Sequence, residues 1–336
     1  MKHILQPTRR EAMLTGASAF GALALSAASV RAAIGKIEKP RLRFGLTLDA
    51  ASFMSVYVAQ AKTWAEAGLE IETSTFRGDA ECSQALAGDS VDLVLQSPYG
   101  AINMVKAEVP AIGFYAGFHQ ADFWFLSQPD VKTWADLKGK TAGVSTIGSL
   151  TDSLTRYLLV KNGLQPEKDV KILQVGPTSS AMQGLKAGRL GMAILSPPFK
   201  WAAADAGFNV LATQAKDISP AWPKHIFIGQ RKFLDQNPNT VMAFLRGHVA
   251  AIRLARADKD FTVKTLTEKL KYSASDAGRA YDEIMPGLDE RGGFPDAETM
   301  KLFWDLEIRA GDVTEPWPAS RILDDRFIKT FADWAP

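Results

Sequence analysis

DAECSQALAGDSVDLVLQSP, residues Asp79–Pro98, is repeated further along the chain as TSSAMQGLKAGRLGMAILSP, residues Thr178–Pro197. The two stretches align without a gap. Each contains a short amphipathic run, a glycine-containing turn, an apolar strand and a closing Ser-Pro pair. A repeated unit of this kind predicts two similar lobes, and two lobes predict a cleft between them.

The segments around the first copy alternate between strand and helix patterns. Arg41–Leu48 and Leu69–Phe76 are typical of strands and flank a helical pattern over Phe53–Ala67, and Val91–Gln96 follows a helix over Asp79–Ala87. This order predicts an α/β fold with a mainly parallel, right-handed sheet in each lobe. The second copy repeats the order, with strands at Thr141–Val144, Val170–Val175 and Leu190–Leu195 and helices at Ser149–Lys161 and Ser179–Ala187.

Two aromatic segments, Phe118–Ser127 and Ala221–Gln230, flank the second unit. We expect both to be extended crossover strands that together form a two-stranded hinge. Lobe one is then discontinuous, comprising residues 40–120 and 228–336, and lobe two comprises residues 128–220. The C-terminal part has a mostly helical pattern, and we expect it to pack on lobe one.

The composition is that of an ordinary globular chain large enough for two domains, with 336 residues of which 46% are hydrophobic. Four of the 39 basic residues and one of the 37 acidic residues lie in the first 31 positions, so the remainder is near neutral. This balance argues against a nucleic-acid partner. The single cysteine, Cys82, excludes an internal disulfide and is predicted to be a small buried residue.

Residues 1–32 have the pattern of an export signal. The pair Arg9-Arg10 precedes an Ala/Gly/Leu-rich run over Ala12–Val30, which resembles a twin-arginine signal, and cleavage is expected near Ala32 or Ala33. A membrane anchor is the alternative, but glycine and serine dilute the run. The sequence therefore predicts a periplasmic protein.

No enzyme motif is complete in the chain. Gly139-Lys140-Thr141 lacks the first glycine of a phosphate-binding loop, and the residues around Ser145 lack the second glycine of a nucleophile elbow. His119, His225 and His248 have no metal-binding spacing. We therefore expect no catalytic residues, no metal and no cofactor.

Candidate binding residues follow the predicted strands, because ligands of open parallel sheets bind beyond the carboxyl ends of the strands. These loops offer hydroxyls and helix-start N–H groups that can hold a small polar or anionic group. The hydroxyls could instead be simple N-caps, each contributing on the order of 1 kcal/mol, and the aromatic residues could fill the lobe cores. The candidates are Thr47, Asp49, Ser52, Phe53, Gly78, Asp79, Ser97, Tyr99, His119, Trp124, Ser145, Thr146, Ser149, Thr178, Ser196 and Phe199.

Several blocks between Arg41 and Arg253 carry a family resemblance. They include RFGLTLDAASFMSVYVAQAKTWAEAGLEIE, QALAGDSVDLVLQSPYGAINM, TWADLKGKTAGVSTIGSLTDSLTRYLLVKNGL, LKAGRLGMAILSPPF and FLDQNPNTVMAFLRGHVAAI. Together they resemble the periplasmic solute-binding proteins of ABC importers, in the branch handling nitrate, sulfonates, taurine and thiamine-type pyrimidines. The resemblance implies a two-lobed type II fold and a monomer that delivers a small solute to a membrane permease and its ATPase. It also implies that the loops named above form the site.

The class of solute stays open at this point. Hydroxyls such as Ser97 and Ser196 suit a small anion, but several acidic residues lie near the predicted cleft and would oppose an anion unless they are paired. Unpaired acids would favour a neutral or cationic nitrogen heterocycle, or an aromatic solute stacked by Tyr99 and Trp124. The acids are Asp49, Asp79, Glu81 and Asp122, and the candidate partners are His119, Lys200 and His225.

Two other functions share this fold. One is a solute sensor that partners with a receptor instead of a permease. The other is a pyrimidine-synthase-like enzyme, for which a cytoplasmic location and a Cys- and His-bearing centre would be expected.

Overall fold

The structure, a computed structural model, describes residues 34–336. The predicted export signal and its cleavage position lie outside the described residues. Within this range, ten strands form two five-stranded sheets, one in each lobe. No helix of residues 34–336 is long and apolar enough to cross a membrane.

The sheet of the first lobe has the order β2-β1-β3-β10-β4. Its strands are β1 (Arg41–Leu46), β2 (Glu70–Thr75), β3 (Leu93–Gln96), β4 (Ala111–Gln120) and β10 (Ala221–Gln230). Strand β1 pairs in parallel with both β2 and β3, while β10 runs antiparallel between β3 and β4. Four of the five strands therefore share one direction.

The sheet of the second lobe has the order β7-β6-β8-β5-β9. Its strands are β5 (Trp124–Ser127), β6 (Thr141–Val144), β7 (Lys171–Gln174), β8 (Met192–Leu195) and β9 (Asn209–Thr213). Strand β6 pairs in parallel with β7 and β8, and β5 is the antiparallel strand between β8 and β9. The triplets β2-β1-β3 and β7-β6-β8 are equivalent, so the predicted two-lobed, mainly parallel α/β fold is confirmed.

Helices connect the strands and form the C-terminal part of the chain. In the first lobe they are α1 (Met54–Val58), α2 (Trp64–Glu66), α3 (Asp79–Ala87) and α4 (Pro98–Lys106), with a π-helical turn at Ala59–Thr63. In the second lobe they are α5 (Leu150–Lys161), α6 (Thr178–Lys186), α7 (Phe199–Asp205) and α8 (Gln214–Asp217). The remaining helices are α9 (Arg231–Gln236), α10 (Pro238–Ala257), α11 (Lys259–Leu270), α12 (Ala274–Ile284), α13 (Ala297–Ala310), α14 (Arg326–Lys329) and α15 (Phe331–Trp334).

The first predicted crossover strand is broken in the structure. Phe118–Ser127 divides between the end of β4 and all of β5, with residues 121–123 outside both strands. The break is required because β4 belongs to the first sheet and β5 to the second. The predicted second crossover coincides with β10, whose start pairs with the end of β4 through Gln120 and Ala221. The predicted lobe limits remain predictions.

The C-terminal helices do not pack on the first lobe alone. Helix α10 packs against α1, but α13 packs against α5 of the second lobe. On α13, the Phe303 ring lies 5.3 Å from Tyr99 and 5.9 Å from Trp222. These buried aromatic residues join an apolar cluster that includes side chains of both lobes. Burial of the apolar face of α13 is the reason that the tail also contacts lobe two.

Helix α10 approaches the first lobe closely at Gly247. A Cβ atom at this position would lie 2.5 Å from Trp64 Cδ1, and Trp64 is held in place because its Nε1 donates to Phe244 O at 3.0 Å. We expect Gly247→Ala to lower the free energy of unfolding by about 1–3 kcal/mol through overpacking. Urea unfolding measures the change.

Gly278 in α12 provides the matched control, because an added Cβ there meets nothing within 4 Å. Gly278→Ala should be neutral or stabilising by up to about 1 kcal/mol, as helix propensity predicts. Equal effects of the two alanine substitutions would contradict the close approach at Gly247.

His248 on α10 is completely buried, and neither ring nitrogen has a hydrogen-bond partner within residues 34–336. Its ring packs against Tyr115, Phe118 and Phe227. Burial lowers its pKa from 6.5 to about 3. As the pH falls, His248 is therefore protonated in the unfolded state before it is protonated in the folded state. The protein loses stability as the pH falls below about 6.5.

We expect the free energy of unfolding to drop by about 2 kcal/mol more between pH 7 and pH 5 in the wild type than in a His248→Phe variant. Phenylalanine suits the aromatic surroundings and cannot be protonated. Urea unfolding at the two pH values tests this, and an identical pH dependence in both proteins would show that His248 is not the group responsible.

Candidate functional site

A cavity lies between the two lobes, beyond the carboxyl ends of the parallel strands. Its volume is about 20 Å³, which is room for about one water molecule. The polar side chains that line it are Ser52, Ser145, Thr151, Thr178, Ser196, Lys224 and His225, and the other lining residues are Leu48, Ala50, Phe123, Gly176, Ala181 and Ile194.

The lobes also touch each other through residues that do not line the cavity. Gly78 of the first lobe lies directly against Thr146 of the second, because a Cβ at Gly78 would be 2.3 Å from Thr146 Cγ2. Asn103 Nδ2 donates to Gly148 O at 3.0 Å. This is a closed conformation, and since ligand pockets usually measure about 300–1,000 Å³, the lobes must separate to admit a solute of several atoms.

The second lobe contributes a cluster of hydroxyls at the start of α5. Ser145 Oγ lies 3.0 Å from Ser149 Oγ and 2.8 Å from Thr151 Oγ1. Ser149 is the N-cap residue of α5, yet its side chain makes no capping hydrogen bond. The N-cap interpretation therefore does not account for Ser149, and its hydroxyl belongs to this cluster instead.

Thr178 and Ser196 form a second hydroxyl pair at the start of α6 and the end of β8. Their oxygens are 3.2 Å apart, and both residues line the cavity. The two helix starts, α5 and α6, carry the partial positive charge of helix N-termini. This side of the cavity therefore favours negative charge.

The first lobe and the hinge contribute polar atoms that lack partners within the described chain. Ser52 Oγ and His225 Nδ1 are both buried, both residues line the cavity, and neither atom has a hydrogen-bond partner. Burial, together with the nearby Lys224, lowers the pKa of His225 well below its usual value. The imidazole is thus neutral and can donate or accept one hydrogen bond. The Phe53 ring, 4.6 Å from the imidazole, supports His225 in this position.

In the described part of the chain, Lys224 is the only lysine or arginine that lines the cavity, and it was not among the candidates from the sequence. It forms a buried ion pair with Asp122, and its Nζ lies 4.4 Å from the centre of the Phe123 ring. Burial lowers the pKa of Lys224, while the Asp122 carboxylate opposes that shift. Its position in the predicted strand Ala221–Gln230 was the available signal, since a lysine in an otherwise aromatic, apolar strand needs a buried partner.

Asp79, Thr47 and Ser97 form a network inside the first lobe and do not line the cavity. Thr47 Oγ1 donates to Asp79 Oδ1 at 2.6 Å, and the Ser97 hydroxyl donates to the other oxygen. Burial raises the pKa of Asp79, although hydrogen bonds from Ser97 and Thr47 act in the opposite direction. The Ser97 side chain does not cap α4 either. The serines of the two Ser-Pro pairs are therefore not equivalent. Ser196 lines the cavity, whereas the Ser97 hydroxyl donates to the buried Asp79 carboxylate.

Five other candidates lie away from the cavity lining. Tyr99 is buried in the core against Phe303, so the alternative of a core role holds for it. The remaining four have contacts elsewhere. Asp49 accepts a hydrogen bond from Tyr57 Oη at 3.1 Å, and His119 Nε2 faces Ala116 O and Gly293 O. The Trp124 ring lies 5.0 Å from Lys200 Nζ, and Phe199 packs on the apolar cluster of lobe two.

None of the four acidic residues that made the solute class uncertain lines the cavity. Asp122 pairs with Lys224, Glu81 pairs with Arg77, and neither acid lines the cavity. Cys82 is fully buried, and burial together with Asp79 raises the pKa of its thiol well above the usual value. Across residues 34–336, no group of three His, Cys, Asp or Glu side chains could hold a metal ion.

The contact between Gly78 and Thr146 can be tested without a solute. Gly78 has an extended backbone that any residue can adopt, so Gly78→Ala acts only by placing a methyl group against Thr146. We expect it to separate the lobes and to raise the radius of gyration in small-angle X-ray scattering. A second substitution, Thr146→Ala, should restore the wild-type radius.

Gly293→Ala is the control for this experiment, because a Cβ there meets nothing within 4 Å. It should leave the scattering curve unchanged. If Gly78→Ala also leaves the curve unchanged, the two lobes do not depend on this contact for closure.

The chain is similar to known proteins in both sequence and structure. YtlA of Bacillus subtilis (strain 168) is 24% identical over 225 residues, which are 65% of this chain. The match covers 66% of YtlA, so this chain spans slightly less than two thirds of that relative's length. A solved protein of Bordetella bronchiseptica RB50 has a TM-score of 0.76 at 20% identity, covering 88% of this chain and 97% of that chain. The alkanesulfonate-binding protein SsuA from Xanthomonas axonopodis pv. citri, bound to MOPS, has a TM-score of 0.69 at 19% identity, covering 86% and 99%.

These solved structures show that the fold is the two-lobed type II α/β fold of periplasmic binding proteins. Residues 35–267, well over half of the chain, match the model of the NMT1-like family. The chain belongs to the NMT1-like family.

Proposed function

We propose that this protein is the extracytoplasmic substrate-binding component of an ABC importer and that it captures a small organic anion between its lobes. One observation carries the proposal: five hydroxyl side chains and a lysine line the cavity, and no carboxylate from residues 34–336 does. The alkanesulfonate-binding protein with the same fold supports the class of solute. The solute would then pass to a membrane permease driven by an ATPase.

The electrostatics of the cavity favour an anionic head group. Lys224 supplies the positive charge, and the starts of α5 and α6 add oriented N–H groups and helix dipoles. Among the cavity-lining residues, Ser52 Oγ and His225 Nδ1 have no hydrogen-bond partner within residues 34–336, so a solute oxygen near them would satisfy two buried groups. The proposed contacts are Ser52, Ser145, Thr151, Thr178, Ser196, Lys224 and His225.

The rest of the lining indicates that the anion carries a short apolar tail. Leu48, Ala50, Ala181 and Ile194 line the same cavity as the hydroxyls. Nitrate has no apolar part to cover these side chains, whereas a short-chain sulfonate has one. We therefore favour a small organosulfonate over nitrate.

Binding would proceed by closure of two rigid bodies, with residues 40–120 and 228–336 in one and residues 128–220 in the other. The segments between β4 and β5 and between β9 and β10 would absorb the motion. We also propose export to the periplasm, and a monomer. A solute sensor would share every one of these features, and neighbouring genes for a permease and an ATPase would separate import from sensing.

The enzyme alternative has less support. A pyrimidine-synthase-like centre would need an accessible cysteine near a histidine, and Cys82 is buried in the core beside Leu86 and Val94. Its raised thiol pKa keeps it protonated at neutral pH.

A matched pair of probes tests the charge of the solute. We expect ethanesulfonate to raise the melting temperature of the mature protein in a saturable manner, because a ligand that binds only the native state stabilises it. The neutral isostere ethyl methyl sulfone should produce no shift. Equal shifts with both compounds, or a shift only with a pyrimidine, would contradict the proposal.

The two Ser-Pro serines provide a matched pair of variants. Ser196→Ala removes a cavity hydroxyl and should weaken ethanesulfonate binding roughly tenfold in calorimetry, with little change in stability. Ser97→Ala removes a donor to buried Asp79 and should lower the free energy of unfolding by about 1–3 kcal/mol with affinity unchanged. The reverse pattern would show that the site lies on the Ser97 side.

A further inference from the structure

A second and larger concavity flanks the hinge. Its volume is about 590 Å³, within the range of small-molecule sites, and it shares no lining residue with the cavity between the lobes. We call it the hinge groove. Its walls are formed by residues 119–122 at the end of β4, residues 220–221 at the start of β10, Ala215 of α8, Glu283 of α12, and residues 286–289.

The hinge groove contains buried polar groups that are unsatisfied within the described chain. Gln120 is 3% exposed, and neither its Oε1 nor its Nε2 has a hydrogen-bond partner. Asp122 is 2% exposed, and while one carboxylate oxygen pairs with Lys224, the other, Oδ2, has no partner. Leaving such groups unpaired is unfavourable, more so for a charged group, so a ligand that reaches them gains affinity.

The carboxylates that line the groove favour a cation, although Asp122 is paired with Lys224 and Glu283 with Lys200. Asp122, Glu283 and Asp289 line the groove, and no lysine or arginine of residues 34–336 does. Glu283 is one-third exposed and holds Lys200 through one oxygen, Oε1. Each wall that carries a titratable group therefore presents a carboxylate. The other titratable side chain in the lining is His119, whose Nε2 faces two backbone carbonyls.

The geometry also favours an organic cation over a metal ion. In the part of the chain that the structure describes, no three acidic or histidine side chains are close enough to share a metal. A group that carries several N–H donors on a carbon chain can reach separate acceptors across the groove, which a single ion cannot. A primary ammonium offers three such donors.

We propose that the hinge groove binds a small organic cation with a primary ammonium group. Asp122 Oδ2 and Gln120 Oε1 accept hydrogen bonds from the ammonium, and Glu283 and Asp289 supply the surrounding negative charge. Because the walls come from both connecting segments and from α8 and α12, occupancy stabilises one arrangement of the hinge. The proposal stands independently of what the cavity between the lobes binds.

The test uses the mature protein with no other solute. n-Butylammonium chloride is titrated against sodium chloride at equal ionic strength, and the melting temperature is followed. We expect a saturable rise with butylammonium only. Tetramethylammonium chloride, a cation without N–H donors, should behave like sodium chloride. Equal shifts with all three salts would overturn the proposal.

Variants assign the shift to the groove. Asp289→Asn and Gln120→Leu should each raise the apparent dissociation constant for butylammonium at least severalfold, and Gln120→Leu should fold because it removes an unpaired buried amide. Asp282→Asn is the control, since Asp282 lies on α12 but pairs with Lys259 and does not line the groove. A shift that survives both groove variants, or that is lost equally in the control, would place the cation elsewhere.

Discussion

The buried ion pair of Asp122 and Lys224 is the interaction on which the rest of the site depends. Asp122 lies in the short connection between β4 and β5, and Lys224 lies near the start of β10, so the pair ties together the two segments that join the lobes. Each side chain is 2% exposed. Removal of one partner from a buried pair typically costs about 3–5 kcal/mol, because the other charge is left uncompensated.

The Asp122–Lys224 pair also lies between the cavity and the hinge groove. Lys224 lines the cavity between the lobes, and Asp122 lines the hinge groove. One side of the hinge is therefore basic and rich in hydroxyls, and the other is acidic, although their charges nearly cancel. This separation keeps the Asp122 carboxylate out of the cavity lining although Asp122 lies beside the cleft.

Closure of the lobes rests on small contacts around this centre. Gly78 has no side chain, so Thr146 can pack directly against its backbone. Tyr272 Oη donates a hydrogen bond to Pro197 O at 3.0 Å across the lobes. Lys200, fully buried, donates to Asp122 O at 2.8 Å and pairs with Glu283 of α12. These residues do not line the cavity, so the closed arrangement of the lobes depends on contacts outside it.

The sequence by itself determined the two lobes, the order of strands and helices in each, and the positions of the loops that follow the strands, because these follow from local periodicity and from the repeat of Asp79–Pro98 at Thr178–Pro197. Only the tertiary structure decided which side chains of those loops face the cavity. Ser97 and Ser196 stand at matched positions of the repeat, yet Ser97 turns to Asp79 while Ser196 lines the cavity. The partner of Lys224 and the break at residues 121–123 were likewise not evident locally, since both arise where distant segments meet. The physical reason is that burial and charge pairing depend on neighbours brought together by the fold, which periodicity along the chain does not encode.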